Sequence, residues 1–146
     1  MNEQIVEILY DEAVSLAEDI RAVLALGFEK SGGRESDEMR IALSIEGMRS
    51  TTRIMNVMAW LLNQRAYFAG ELSARQLHRR NKLDEDRPSD GIYFDMLEPA
   101  TRSLIKETER LHARVSRLDS DWRSEPGNTP GPIGDMQARI ATAFEG

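Results

Sequence analysis

The sequence predicts an all-α protein, an up-down-up three-helix bundle that pairs as a homodimer and carries a flexible C-terminal tail. Three observations predict it. Long stretches repeat apolar residues every three or four positions, the spacing that holds one face of a helix against a neighbour. No run of β-branched or aromatic residues alternates with period two between turn signals, so strands are not expected. The stretch from Ile45 to Glu71 is apolar on two opposite sides, as a helix is when it has neighbours on both.

The first helix is expected over residues 3–28, where Val6, Leu9, Tyr10, Ala13, Leu16, Ala17, Ile20, Val23, Leu24 and Phe28 form a broad apolar stripe. Lys30-Ser31-Gly32-Gly33 ends it. Ser36 is a good N-cap for the second helix, with Asp37 and Glu38 where the helix dipole favours negative charge. That helix runs to about residue 69, before Gly70, a length of about 50 Å. One of its apolar registers is Ile45, Met48, Thr52, Met55, Ala59, Leu62, Ala66, and the other is Ile54, Val57, Leu61, Phe68. The two lie roughly 200° apart on the helix surface, too far for one partner to cover both. Part of this surface is therefore free to pair with a second subunit about a two-fold axis. The seven methionines sit mostly at such spacings, and Met48, Met55 and Met58 are expected to fill gaps in the core.

Residues 70–95 form a long polar connection. Ser73 to Gln76 fits a capping box, predicting a short helix over 74–80, and the following Asn-Lys-Leu-Asp-Glu-Asp-Arg-Pro-Ser-Asp-Gly is turn chemistry. The third long helix begins between Asp95 and Pro99 and continues to about Trp122. Its seam, Leu97, Thr101, Leu104, Thr108, Leu111, Val115, Leu118, Trp122, is a strict four-three heptad. A Pro- and Gly-rich linker follows, then a weakly amphipathic segment with Ile133, Met136, Ile140 and Phe144. The domain reading is thus a bundle over 1–122 and a tail over 123–146. Because the link between the first two helices is short, they should be antiparallel.

At 146 residues the chain holds one compact domain. It has no cysteine, which excludes disulfide scaffolds and thiolate chemistry, and no stretch long and apolar enough to span a membrane. A cytoplasmic protein is expected. The net charge of −6 is uneven: residues 1–40 hold ten acids against four bases, and residues 49–87 hold eight bases against four acids. The basic stretch invites a nucleic-acid reading, which the overall acidity disfavours, and the simpler account is electrostatic complementarity within one bundle.

Chemistry-bearing motifs are few. Glu109 and His112 stand at the i, i+3 spacing that di-iron bundles use, but the other histidine, His78, does not complete a second such pair, so neither metal nor cofactor is expected. A small metal-binding protein or enzyme using Glu109 and His112 is the alternative reading. Between the apolar registers of the second helix runs a polar-aromatic stripe, Arg49, Arg53, Asn56, Trp60, Asn63, Tyr67, made of the residue types enriched at binding hot spots. These six are the candidates for partner binding, with tucking of Trp60 into the bundle as the competing reading.

Within this helix, Thr51-Thr52-Arg53-Ile54-Met55, then Ala59-Trp60-Leu61-Leu62, Gln64-Arg65-Ala66 and Gly70-Glu71 resemble the central helix of the RcdA family, and Leu9-Tyr10-Asp11-Glu12-Ala13 is similar to its first helix. The family comprises alphaproteobacterial proteins whose named member is the regulator of CtrA degradation. The resemblance covers about the first 120 residues. It implies a three-helix homodimer without enzymatic activity, an adaptor delivering regulatory proteins to a ClpXP-type ATP-dependent protease during the cell cycle, with a flexible C-terminal tail.

Overall fold

A computed structural model describes residues 2–30 and 37–125 of the chain. It is helical throughout its regular structure, with no strand among the described residues: α1 Glu3–Lys30, α2 Asp37–Phe68, α3 Ala74–Arg80, α4 Gly91–Met96 and α5 Pro99–Ser124. The expected N-cap Ser36 and all but the first three residues of the expected tail lie outside the described residues. α5 runs two residues past Trp122. α3 carries the full capping box, Ser73 Oγ accepting from the Gln76 amide and Gln76 Oε1 from the Ser73 amide. Gly70, at φ +81°, supplies the left-handed residue that stops α2, where a side chain would be strained.

The order of the helices in space departs from the up-down-up expectation. α1 and α2 are antiparallel: Glu7 pairs with Arg65, while Leu24 packs on Gly47 and Leu43 on Gly27. The approach at Gly47 is so close that a Cβ there would lie 3.0 Å from Leu24 Cδ1. α5, however, runs parallel to α2, since Arg53 meets Thr108 and Trp60 meets Asp119 further along both helices. It is antiparallel to α1, where Glu12 pairs with Arg114. The bundle is therefore up-down-down. The reason lies in the thirty residues between α2 and α5, which climb back along α2 before α5 starts down again. A tight link would force antiparallel neighbours; a connection of this length does not.

The core gathers Val6, Leu9, Ala13, Leu16 and Ile20 of α1, Leu43, Ile54, Val57, Trp60 and Leu61 of α2, and Ile105, Leu111 and Val115 of α5. On α2 the register Ile54, Val57, Leu61 is buried and Phe68 partly so. The other register faces outward. Met48 is 72% and Met55 64% exposed, so the core role expected for these two methionines is not theirs, whereas Met58 packs against the core, as do Met39 and Met96. In α5 the expected seam is buried at Thr101, Thr108, Leu111, Val115 and Trp122, while Leu104 and Leu118 are half-buried. The inward face is widened by Ile105, His112 and Asp119, one heptad apart. Leu97 lies before α5, as the C-cap of α4, and is still buried. α4 itself, where turn chemistry was expected to lead into the long helix, packs on α2 and leaves Ile92 at the surface.

Truncation separates the inner from the outer residues. Leu61→Ala, at a fully enclosed site, is expected to lower unfolding free energy by about 2–5 kcal/mol, and Ile92→Ala by less than about 0.5 kcal/mol, measured by urea denaturation.

Candidate functional site

The polar face of α2 and the facing side of α5 form a groove, and the chain's own connection fills it. Residues 81–90 have no regular secondary structure; side chains on both walls hold them. At one end Asn81 donates to the Trp60 carbonyl and accepts from Asn63 Nδ2, at 3.0 and 2.9 Å. Leu83 is buried beside it. His112 Nε2 meets the Asp84 carbonyl at 2.9 Å, which requires the tautomer with its proton on Nε2. At the other end Glu109 accepts from the Ser89 amide and Lys106 donates to the Ser89 carbonyl.

Arg53 lies at the centre with a side chain 1% exposed. Its Nε donates to Asp86 Oδ1 at 2.7 Å, Nη1 to Thr108 Oγ1 at 2.8 Å, and Nη2 to the Arg87 carbonyl at 3.0 Å and, more weakly, to Ser89 Oγ. Glu109 stands 3.7 Å from Nη2, so two carboxylates neutralise the buried cation. A planar guanidinium with donors in a fixed fork can serve α5 and two points of the connection at once; an ammonium cannot. Below it, Trp60 buries its ring and donates from Nε1 to Asp119 Oδ1 at 3.0 Å, and Arg123 Nε donates to the same oxygen. A buried indole N–H needs such an acceptor. One turn above Arg49, Glu46 is fully enclosed and accepts from Arg49 Nη1 at 3.1 Å.

The six stripe residues therefore divide. Arg53 and Trp60, 2% exposed each, are not surface contacts for a partner in this conformation: with half-buried Asn63 they bind the chain's own connection and α5. Arg49 is exposed, and Asn56 and Tyr67 are half-buried, the Tyr67 ring tilted 5.4 Å from Phe68. Glu109 and His112 are also spent on the connection, and no group of three or more metal-ligating side chains gathers among the described residues. The basic stretch is partly neutralised within the fold, through Arg49 to Glu46, Arg53 to Asp86 and Arg65 to Glu7. No helix among the described residues is long and apolar enough to cross a membrane.

Asn81, Asp86, Ser89 and Asp119 complete the groove and carry no motif of their own. One signal was present in the sequence for Asp119: it follows Ile105 and His112 by whole heptads on a helix facing a tryptophan that must find an acceptor.

His78, on α3, closes the lower end. Its carbonyl accepts from Arg123 Nη1 at 3.0 Å, its ring lies 5.4 Å from that of Trp122, and its Nε2 is buried without a hydrogen-bond partner among the described residues. Burial, and then the charge of Arg123, hold its pKa below the ordinary 6.5.

What these elements define is an all-helical bundle with a buried polar network that fixes its own connection. The chain belongs to a family described as a protein of unknown function (DUF1465), whose model matches residues 1–144. Comparison with curated proteins and with solved structures gives no match.

Two outcomes test the groove. Arg53→Met leaves Asp86 and Thr108 without their donor; it should cost about 3–5 kcal/mol and speed tryptic cleavage after Lys82 while far-ultraviolet helicity persists. Because the folded state holds His78 with a depressed pKa, its contribution is present above about pH 6.5 and is lost as pH falls through the folded value. His78→Gln should flatten that acid-side slope in denaturation midpoints.

Proposed function

We propose that this protein is a non-enzymatic interaction adaptor, a cytoplasmic homodimer that binds other proteins and delivers regulatory proteins to a ClpXP-type ATP-dependent protease in cell-cycle control. The outer face of α2 carries the reading. Ile41, Met48, Met55 and Leu62, 45 to 72% exposed, stand in one line along the outside of the bundle. A contiguous apolar strip of this length marks a surface that another protein covers. Arg49, Asn56 and Tyr67, the stripe members not bonded to the connection or to α5, lie beside that strip, where polar contacts rim an interface. Likeness of the same helix to the RcdA family supplies the protease and cell-cycle part of the reading, and residues beyond α5 offer a second attachment point that would raise the effective concentration of a bound cargo.

Crosslinked capture from native cytosol, with the full chain and with a chain ending at Ser124, tests the proposal. The full chain should retain the protease's unfoldase subunit together with regulatory proteins, and the shortened chain should lose one of the two sets. Added to the purified protease, the full chain should accelerate degradation of a captured regulator by at least about tenfold at low substrate. Capture of neither set, with unchanged degradation rates, overturns the reading.

A further inference from the structure

The end of the bundle where α1 finishes and α2 and α5 begin holds an apolar cavity that neither the polar network nor the adaptor reading uses. Its volume is about 430 Å³, within the range of sites that take small molecules. Its floor is Leu43 of α2, Leu97 at the end of α4 and Thr101 of α5, all buried. Val23 of α1 and Met39 of α2 are half-buried walls, and the exposed Leu26, Lys30 and Glu98 stand at the mouth. Apart from Lys30, Glu98 and the Thr101 hydroxyl, every side chain of the lining is that of a valine, leucine, methionine or alanine, and none among the described residues is aromatic. Such walls give water nothing to bond and give a flat ring nothing to stack on; they suit a flexible hydrocarbon.

The chain offers no filler close by. Residues 31–36, which join α1 to α2 at this end, are Ser-Gly-Gly-Arg-Glu-Ser and carry no apolar side chain. The segment after α5 leaves from the opposite end of that helix, about 39 Å away.

We propose that the cavity is a binding site for an unbranched aliphatic carboxylate, with its hydrocarbon among Val23, Met39, Leu43 and Leu97 and its head at the mouth. Charge selects the head group. Lys30 and Glu98 are both exposed and offset each other, so the end of α5 decides. Pro99 has no amide, and the N-cap Glu98 makes no side-chain bond to the amides that follow, so the positive end of a 26-residue helix stands without a side-chain cap beside the mouth. An alkyl ammonium meets that end unfavourably, and an alcohol gains little from it; a carboxylate is stabilised.

This site stands independently of the adaptor reading, and its test uses the full chain with decanoate and decanol as probes, each below the concentration at which it aggregates. Methionine methyl groups labelled with carbon-13 report where the probe sits, because Met39 lines the cavity while Met48 and Met55 are exposed on the outer side of α2. Decanoate should shift the Met39 signal saturably, leave Met48 and Met55 in place, and raise the folded-to-unfolded ratio about elevenfold at ten times its Kd. Lys30→Gln should weaken decanoate about two- to fivefold and Glu98→Gln should tighten it by a similar factor, with decanol indifferent to both. Ala100→Phe, at an exposed position of the lining, should block both probes with helicity intact. No shift at Met39 up to about 1 mM decanoate overturns the proposal, as does a shift confined to Met48 and Met55, which puts the hydrocarbon on the outer strip. Decanoate affinity unmoved by both charge variants overturns the carboxylate. Binding seen only in a chain ending at Ser124 assigns the cavity to the chain's own C-terminal segment and overturns the proposal too.

Discussion

The guanidinium of Arg53 is the point on which the arrangement of this molecule turns. A charged group with 1% of its side chain exposed is tolerable only if its donors are filled and its charge matched. Here the donors reach Thr108 on α5, Asp86 and the Arg87 carbonyl on the connection, and the Ser89 hydroxyl, with Glu109 nearby. One side chain thus ties α2 to two parts of the chain that lie 33 and 55 residues further on. Parallel packing of α5 on α2 depends on this, because it obliges the chain to travel back along the bundle, and the return path offers few apolar side chains of its own. Leu77, Leu83 and Leu97 anchor it, and the polar bonds supply its alignment.

The same constraint explains why α2 looks as it does. Its face toward α5 is not a conventional hydrophobic seam: Glu46, Ser50, Arg53, Trp60 and Gln64 are all buried there. Arg53 and Trp60 find their partners on neighbouring elements, which fixes register and direction in a way that interchangeable leucines do not, while Glu46 and Ser50 bond within α2. The apolar contribution comes from the neighbouring side, where Leu43, Ile54, Val57 and Leu61 meet α1. α2 therefore presents three distinct surfaces: apolar toward α1, polar toward α5 and the connection, and apolar again toward the outside.

The helices were largely legible, and their relation was not. α1, α2, α3 and α5 follow from periodicity and capping to within about two residues, since these are local properties of the chain. α4 and the direction of α5 depend on contacts such as Arg53 to Asp86 and Trp60 to Asp119, which join residues 33 and 59 apart and leave no mark in a window of one helix. Both apolar registers of α2 were visible, yet periodicity alone did not tell inside from outside. What decides is the polar residue content of the intervening face: a stripe of Arg53, Trp60 and Asn63 that is bonded to the rest of the chain turns that side inward, and the register Met48, Met55, Leu62 opposite the core is left outward. Of the stripe read as a candidate for partner binding, Arg53, Trp60 and Asn63 bond to the connection and to α5.

The two non-α1 faces of α2 are thus coupled through the rigidity of one helix rather than through any contact between them. Arg53 and Trp60 sit near the middle of α2, at the same height as Thr52, Met55 and Ala59 on the far side, within about two turns. The hydrogen bonds of Arg53, Trp60 and Asn63 fix the rotation of α2 about its own axis, because α5 and the connection grip it from one side while Leu24 and Leu43 lock it against α1. A helix held in rotation by polar bonds presents its outer apolar strip in one orientation. Loosening the groove should therefore blur the outer surface without changing a residue on it, so that the buried charge at Arg53 orders a face it never touches.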